Sequence, residues 1–185
     1  AFSEDTMALE WASRHHQTMK YTAGMEWMTD LGVRWAPDET LTRYATARKV
    51  CRMFASRLGD KDQQLARKLT SSASINAVVS IARSDERMAM PAERWDSDAN
   101  ALNTPNGIVD LRSGKMRDRS GDYITQVTAV SPDFDSGHPV WTQFLRDVFC
   151  EDEDVVEFIQ RMCGYILNGS IEEEKMFYGW GVGGN

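Results

Sequence analysis

Cysteine is scarce in this sequence, and its placement gives it no structural task. The 185 residues include three cysteines, at positions 51, 150 and 163, with no Cys-x-x-C pair among them. Structural zinc sites and disulfide frameworks need closely or regularly spaced cysteines, so both are excluded as organising features. We expect reduced thiols that behave as small buried apolar side chains, and a location in the cytoplasm of a bacterial or host cell.

The sequence also lacks a long hydrophobic run. No apolar stretch approaches the roughly 18 residues of a membrane span. The N-terminus carries Glu4, Asp5 and Glu10, whereas a signal peptide opens basic and then turns apolar. We therefore expect no membrane partner. Hydrophobic residues make up 42% of the chain and charged residues 26%, which is typical of a globular protein with a sizeable core.

A net charge of −7 argues at first against nucleic acid as a partner, but the charges are unevenly distributed. Residues 1–42 carry 3 basic and 7 acidic groups, residues 43–94 carry 11 and 5, and residues 95–185 carry 7 and 16. A basic middle of +6 therefore lies between flanks of −4 and −9. Screening confines the influence of each charge to about 10 Å, so a basic face can bind phosphates on an acidic protein.

The first region, residues 1–38, is predicted to contain a helix over 4–19 and a small antiparallel meander. Three short aromatic and β-branched runs, at 19–22, 26–29 and 33–35, are separated by glycine-containing turns. Trp27 and Trp35 are interpreted as the hydrophobic face of this sheet rather than as a platform for stacking bases.

Residues 39–90 are predicted to be a basic helical segment. Apolar residues recur at three- and four-residue steps from Glu39 to about Leu58, after a cap at Asp38, and shorter helices are expected over 62–70 and 72–84. The basic side chains fall off the apolar face. They either form ordinary solvated helix surfaces or face phosphates. The candidates for DNA binding are Arg48, Lys49, Arg52, Arg57, Arg67 and Lys68.

Residues 91–170 are predicted to hold a β hairpin and two helices of the same accessory domain. Asn106-Gly107 and Ser113-Gly114 are turn signals on either side of a strand, and another strand is expected within 123–130. Apolar stripes over 140–149 and 155–166 predict two helices with buried faces. Asp96 and Asp98 are interpreted as turn-forming residues rather than metal ligands, and we assign no catalytic residue and no metal.

The last region, residues 171–185, combines a short apolar run with a glycine cluster. Met176 to Tyr178 is predicted to be a buried strand, and a glycine-rich loop directly after a strand is how a phosphate-binding loop begins. We expect the chain to be a fragment cut inside such a loop, before its lysine and its serine or threonine. The partial nucleotide-binding loop comprises Gly181, Val182, Gly183, Gly184 and Asn185.

The order of these motifs resembles the phage and plasmid primase–helicase family, which is related to the poxvirus nucleoside triphosphatase–primase. The run Asn-x-x-Asn-Gly-x-x-Asp-Leu at 103–111 is joined, some 70 residues on, to the Gly-rich loop at 181–185. The resemblance covers 94–185 and extends to the tryptophan-containing meander and the basic helices before it. Val182 departs from the family, where many relatives have proline.

The resemblance implies the region that precedes a superfamily 3 helicase core in a replication protein of a virus, phage or mobile element. It implies ATP and magnesium as cofactors of the full-length parent, though not of this fragment. The implied partners are DNA, single- or double-stranded, the downstream helicase domain and further copies in a ring. No counterpart of the polymerase carboxylates of an upstream primase is identifiable.

Two alternatives to a DNA-contacting accessory domain stay open at this point. One is an interaction or oligomerisation module that never touches nucleic acid. The other is a primase or nuclease in its own right, which would use Asp96, Asp98 and Asp110. In each case the expected fold is α+β and predominantly helical: a meander, a basic helical bundle, a hairpin and two helices that lead to a terminal strand.

Overall fold

The computed structural model describes residues 2–170, 172 and 174–180. It has the predicted α+β architecture, with helices and two small antiparallel sheets in the order β1-β2-β3 and β4-β5-β6. The helices are α1 (Glu4–His15), α2 (Thr42–Ser56), α3 (Gln63–Leu69), α4 (Ser72–Ile81), α5 (Pro139–Val148) and α6 (Glu153–Leu167). The strands are β1 (Met19–Thr22), β2 (Glu26–Asp30), β3 (Trp35–Pro37), β4 (Ala101–Thr104), β5 (Gly107–Asp110) and β6 (Lys115–Arg117).

The chain divides into two compact units. The first comprises residues 1–97 together with 122–126, and the second comprises 98–121 together with 127–185. In the first unit, helix α1 begins at a serine cap, since the Ser3 hydroxyl accepts a hydrogen bond from the Thr6 amide at 3.2 Å. The predicted meander is present, with Met19 opposite Thr29 and Asp30 opposite Trp35, although its third strand starts two residues later than expected.

Helices α1, α2 and α4 enclose the main core of the first unit. Helix α2 starts at Thr42 rather than at Glu39, because the Asp38 carboxylate accepts hydrogen bonds from the Thr42 and Arg43 amides, at 2.8 and 3.0 Å. The buried core of this unit is built from Met7, Ala8, Trp11, Ala12, Met19, Trp27, Ala47, Val50, Cys51, Phe54, Leu69, Ile75, Val78, Val79, Ala82 and Met88. Trp27 and Trp35 are both buried, as their interpretation as a hydrophobic face required.

Residues 122–126 complete the first unit, and the strand predicted within 123–130 is wrong. The carbonyl of Ile124 accepts from the Trp35 amide at 2.8 Å, and the carbonyl of Tyr123 accepts from the Asp96 amide at 2.9 Å. These are single bonds to different segments, so no ladder forms. The Tyr123 ring instead joins a small aromatic cluster, 5.6 Å from Trp35 and 5.7 Å from Trp95.

The second unit contains the predicted hairpin. Thr104 pairs with Gly107, which places Pro105 and Asn106 in the two-residue turn. The turn at Ser113-Gly114 then leads into β6. Gly107 has a φ of +152°, and a Cβ there would lie 2.7 Å from the backbone oxygen of Arg117, so this position needs glycine.

Helices α5 and α6 form where predicted, but the expectation that their apolar faces are core is wrong. Within the part of the chain that the structure describes, only Leu145 of α5 and Val156 of α6 are buried. The two helices pack on each other, which leaves most of both faces without cover. Residues 174–180 have no strand, so the predicted strand at Met176–Tyr178 is also wrong, since no neighbouring strand in the described residues pairs with it. The described residues include no helix long and apolar enough to cross a bilayer.

Candidate nucleic-acid interface

Helix α2 carries three cations side by side on its outer surface. Ala47, Val50, Cys51 and Phe54 turn inward and are buried, which leaves Arg48, Lys49 and Arg52 exposed. Arg52 follows Lys49 by three residues and Arg48 by four, so the three side chains share one face of the helix. We call Arg48, Lys49 and Arg52 the α2 cationic strip.

The strip has no carboxylate partner among the side chains that the structure describes, which do not include those of residues 60 and 61. No described acidic oxygen lies within 4 Å of any of its three cationic groups, whereas Arg14 pairs with Glu10 at 2.6 Å and Arg43 with Asp38 at 2.9 Å. Unpaired cations retain their full attraction for an incoming anion, because no intramolecular ion pair has to break first. The strip is therefore available for phosphate contacts.

Two surface grooves adjoin the strip, one lined by each of its first two residues. Arg48 lines a groove of about 450 Å³ with Tyr44 of α2 and with Ser72 and Asn76 of α4. Lys49 lines a second groove of about 350 Å³, which also includes Arg14, His15, Thr46 and Met53. Both grooves combine cations with polar and apolar walls, as sites for organic anions do.

The lining of the second groove includes two cations, Arg14 and Lys49, and both affect His15. Burial lowers the pKa of His15, and the charges of Arg14 and Lys49 lower it further. An anion bound in this groove would offset those two charges and favour the protonated imidazole.

The other three predicted DNA-binding residues are exposed but do not join the strip. Arg57 lies just beyond α2, where its guanidinium sits 5.1 Å from the centroid of the Phe54 ring. Arg67 and Lys68 lie in the last turn of α3, a different helix from the one that carries the strip. The structure therefore brings together three of the six candidates.

The partial nucleotide-binding loop, Gly181 to Asn185, lies outside the described residues. Each of the three carboxylates that a primase or nuclease would use accepts a hydrogen bond from another residue of the chain. Asp96 accepts from the Thr125 amide at 2.7 Å, Asp98 from Arg112 at 3.4 Å, and Asp110 from the Ser113 hydroxyl at 2.8 Å. No cluster of three or more potential metal ligands occurs in the described part of the chain.

Sequence reasoning missed the groove residues. Tyr44 belongs to the apolar pattern predicted for its helix. It also lies one turn before Arg48, and this spacing indicates that the two side chains are neighbours. Asn76 gives no such signal, because only the packing of α4 against α2 brings it to Arg48. The position of Arg14 and His15 in the second groove likewise depends on the packing of α1 against α2.

These features define an α+β domain whose main helical core presents an unpaired cationic helix face. A family model described as "D5 N terminal like" matches residues 8–150, which is more than half of the chain. The chain belongs to this family, the N-terminal region of phage and viral primase–helicase proteins that act in replication. The match includes α2, α3 and α4, so the basic helices are part of the family region. The curated proteins contain no match to the chain.

Proposed function

We propose that this domain contacts DNA through the α2 cationic strip while it serves a primase–helicase in replication. The observation that carries the proposal is the lack of any carboxylate partner for Arg48, Lys49 and Arg52 among the described residues. The fold places three cations on one helix face, and none of them forms an ion pair among the described residues. Family membership supplies the replication context. ATP and magnesium belong to the proposal only as cofactors of a helicase core in the full-length parent.

Binding of this kind has a measurable dependence on salt. Each phosphate contact releases bound counterions and contributes about 0.7 to 0.9 to the slope of log K against log salt. Three contacts from the strip therefore account for a slope of about 2 to 3. The test is fluorescence anisotropy with labelled DNA between about 50 and 200 mM salt.

The decisive variant reverses the three charges of the strip: Arg48→Glu, Lys49→Glu and Arg52→Glu. We expect weak binding and a slope smaller by about 2 to 3. The matched control reverses three cations that are already paired with carboxylates, Arg112, Arg146 and Arg161, and therefore makes the same change in net charge. Equal losses in both variants, or a wild-type affinity that does not change with salt, would refute the proposal.

A second function, in assembly, is favoured by the apolar face of α5. Val140, Trp141, Phe144 and Val148 are between 46% and 83% exposed, and the Trp141 and Phe144 rings stack at 5.6 Å. Contiguous exposed apolar surface of this kind marks protein contacts. We infer that a second copy of the chain packs on this face. Sedimentation should then show concentration-dependent association that Trp141→Asp with Phe144→Asp abolishes; a wild-type chain that is monomeric at high concentration would rule this out.

A further inference from the structure

The groove beside Arg48 has walls of three chemical kinds. Arg48 supplies a cation and Asn76 an amide, and within the described part of the chain neither side chain has a hydrogen-bond partner. Tyr44 supplies an aromatic ring, and Leu41 and Ile75 supply apolar surface. A phosphate, a hydrogen-bonding edge and a flat apolar face are the three parts of a nucleotide that such walls complement.

The Tyr44 ring is held in place by a buried ion pair. The Asp38 carboxylate is fully buried and accepts a hydrogen bond from the Arg43 guanidinium at 2.9 Å. That guanidinium lies 4.8 Å from the centroid of the Tyr44 ring. Tyr44 also packs against the main core of the first unit, so its ring is restrained by the core as well as by Arg43. A preordered aromatic loses little conformational entropy when a base stacks on it.

Leu41 has a backbone conformation that its side chain does not favour. Its φ is +58°, in the left-handed region, and 50% of its surface is exposed at the wall of the groove. A left-handed leucine is strained, and glycine or asparagine would avoid this strain. The exposed side chain of Leu41 is therefore an apolar part of the groove wall that a ligand can contact.

We propose that this groove takes an unpaired nucleotide, so that the domain prefers single-stranded to double-stranded DNA. The groove's volume of about 450 Å³ lies within the range of small-ligand sites, roughly 300 to 1,000 Å³. A base in a duplex is stacked and paired, and only its phosphates can reach the α2 cationic strip. A base in a single strand can leave the stack and lie against Tyr44 with its edge toward Asn76 and its phosphate at Arg48. This inference rests on the proposed DNA contact and adds the strand preference to it.

The test compares a labelled single-stranded oligonucleotide with its own duplex, using the whole chain and anisotropy. Tyr44→Leu should weaken single-strand binding by about tenfold and leave duplex binding unchanged, since stacking of this kind contributes about 1 to 3 kcal/mol, or roughly 5- to 150-fold. Asn76→Leu should act in the same direction. Its matched control is Ser80→Leu, because Ser80 is exposed on the same helix one turn further on and does not line the groove.

Leu41→Gly separates binding from folding. Glycine adopts the left-handed conformation without strain, so this variant should unfold at the same temperature as the wild type or a higher one while it binds single strands more weakly. Equal affinity for single strand and duplex, with losses in the charge-reversed strip but not in Tyr44→Leu, would overturn the groove and leave the proposed DNA contact standing. No binding to either DNA at low salt would overturn the proposed function and this inference with it.

Discussion

Two buried tryptophans offer a matched test of how this fold is held together. Trp11 and Trp27 are 0% and 2% exposed, and their rings meet edge to face at 5.1 Å. The Trp11 indole N–H donates to the Thr46 hydroxyl at 3.0 Å, but the Trp27 indole N–H has no acceptor. Of the buried side-chain nitrogens and oxygens that the structure describes, it alone lacks a partner. Replacing each tryptophan with phenylalanine removes a similar volume and differs in one hydrogen bond.

The expected difference follows from that bond. The lost packing should destabilise both variants by about 1 to 2 kcal/mol. Trp11→Phe also loses a hydrogen bond with a net contribution of about 1 kcal/mol, whereas Trp27→Phe removes an unsatisfied donor whose burial costs about 1 to 3 kcal/mol. Trp11→Phe should therefore be the less stable variant by about 2 to 4 kcal/mol. In a chain of this length each kcal/mol corresponds to about 2 to 4 °C in melting temperature.

The assay is urea unfolding followed by far-ultraviolet circular dichroism, because both substitutions alter the tryptophan fluorescence itself. Thr46→Val, alone and combined with Trp11→Phe, completes a double-mutant cycle whose coupling energy should be about 1 kcal/mol. The reasoning fails if Trp27→Phe is as destabilising as Trp11→Phe. It also fails if the cycle gives no coupling.

The remaining predictions concern single positions. Asp38→Asn should lower the free energy of unfolding by about 3 kcal/mol in urea titration, because it breaks a buried ion pair. Burial lowers the pKa of His15 in the folded state, so the folded protein favours the neutral imidazole. The resulting stability should be fully present above the unfolded pKa of about 6.5 and should be lost as the pH falls below it. In thermal melts at acid and neutral pH, His15→Gln should reduce this dependence on pH. Gly107→Ala should destabilise the hairpin by about 2 kcal/mol, because its Cβ would meet a backbone carbonyl of β6, whereas Gly164→Ala in α6, with nothing within 4 Å of the new Cβ, should stabilise by about 1 kcal/mol in the same melting assay.

Local signals in the sequence correctly predicted helices and turns whose backbone groups form hydrogen bonds with residues close in the sequence. Ser3 and Asp152 cap α1 and α6 through their own side chains, and the hairpin forms around its turn residues. The segment 123–130 failed for the opposite reason. Its apolar alternation was typical of a strand, but its hydrogen bonds go to single distant residues such as Trp35, which no local pattern reveals.

The periodicity of α5 and α6 shows what an amphipathic pattern leaves open. A stripe of apolar residues identifies which face of a helix avoids water, but it does not say which surface covers that face. Trp141 and Phe144 were expected in a core and are about half exposed. The prediction of two helices was confirmed, and the prediction of their burial was wrong, because burial depends on a partner and the pattern does not.

The candidate site was predictable to the extent that it lies on one helix. Arg48, Lys49 and Arg52 were among six basic candidates predicted from their position off the apolar helix faces, and these three share one face because they lie three and four residues apart. The groove beside them joins Tyr44 to Asn76, which are 32 positions apart and belong to different helices. Only tertiary packing creates that neighbourhood. The role of Leu41 could not be predicted either, because the sequence does not reveal its left-handed backbone conformation.

The net charge of the chain is a poor guide to what its surface can bind, and the pairing of individual charges is a better one. The second unit has 7 basic and 14 acidic residues, whereas the first has 14 of each. The net charge of the first unit is zero, but only some of its cations form ion pairs with acidic side chains. Its paired cations are Arg14, Arg43, Arg83 and Arg87.

Four cations of this unit thus have carboxylate partners, whereas the α2 cationic strip has none among the described side chains. With screening at about 10 Å, we expect a polyanion to respond to that strip and not to the total of −7. Reversing three paired cations changes the total by as much as reversing the strip does. If affinity followed the total, the two variants would bind alike; because the attraction is local, we expect only the strip variant to lose DNA.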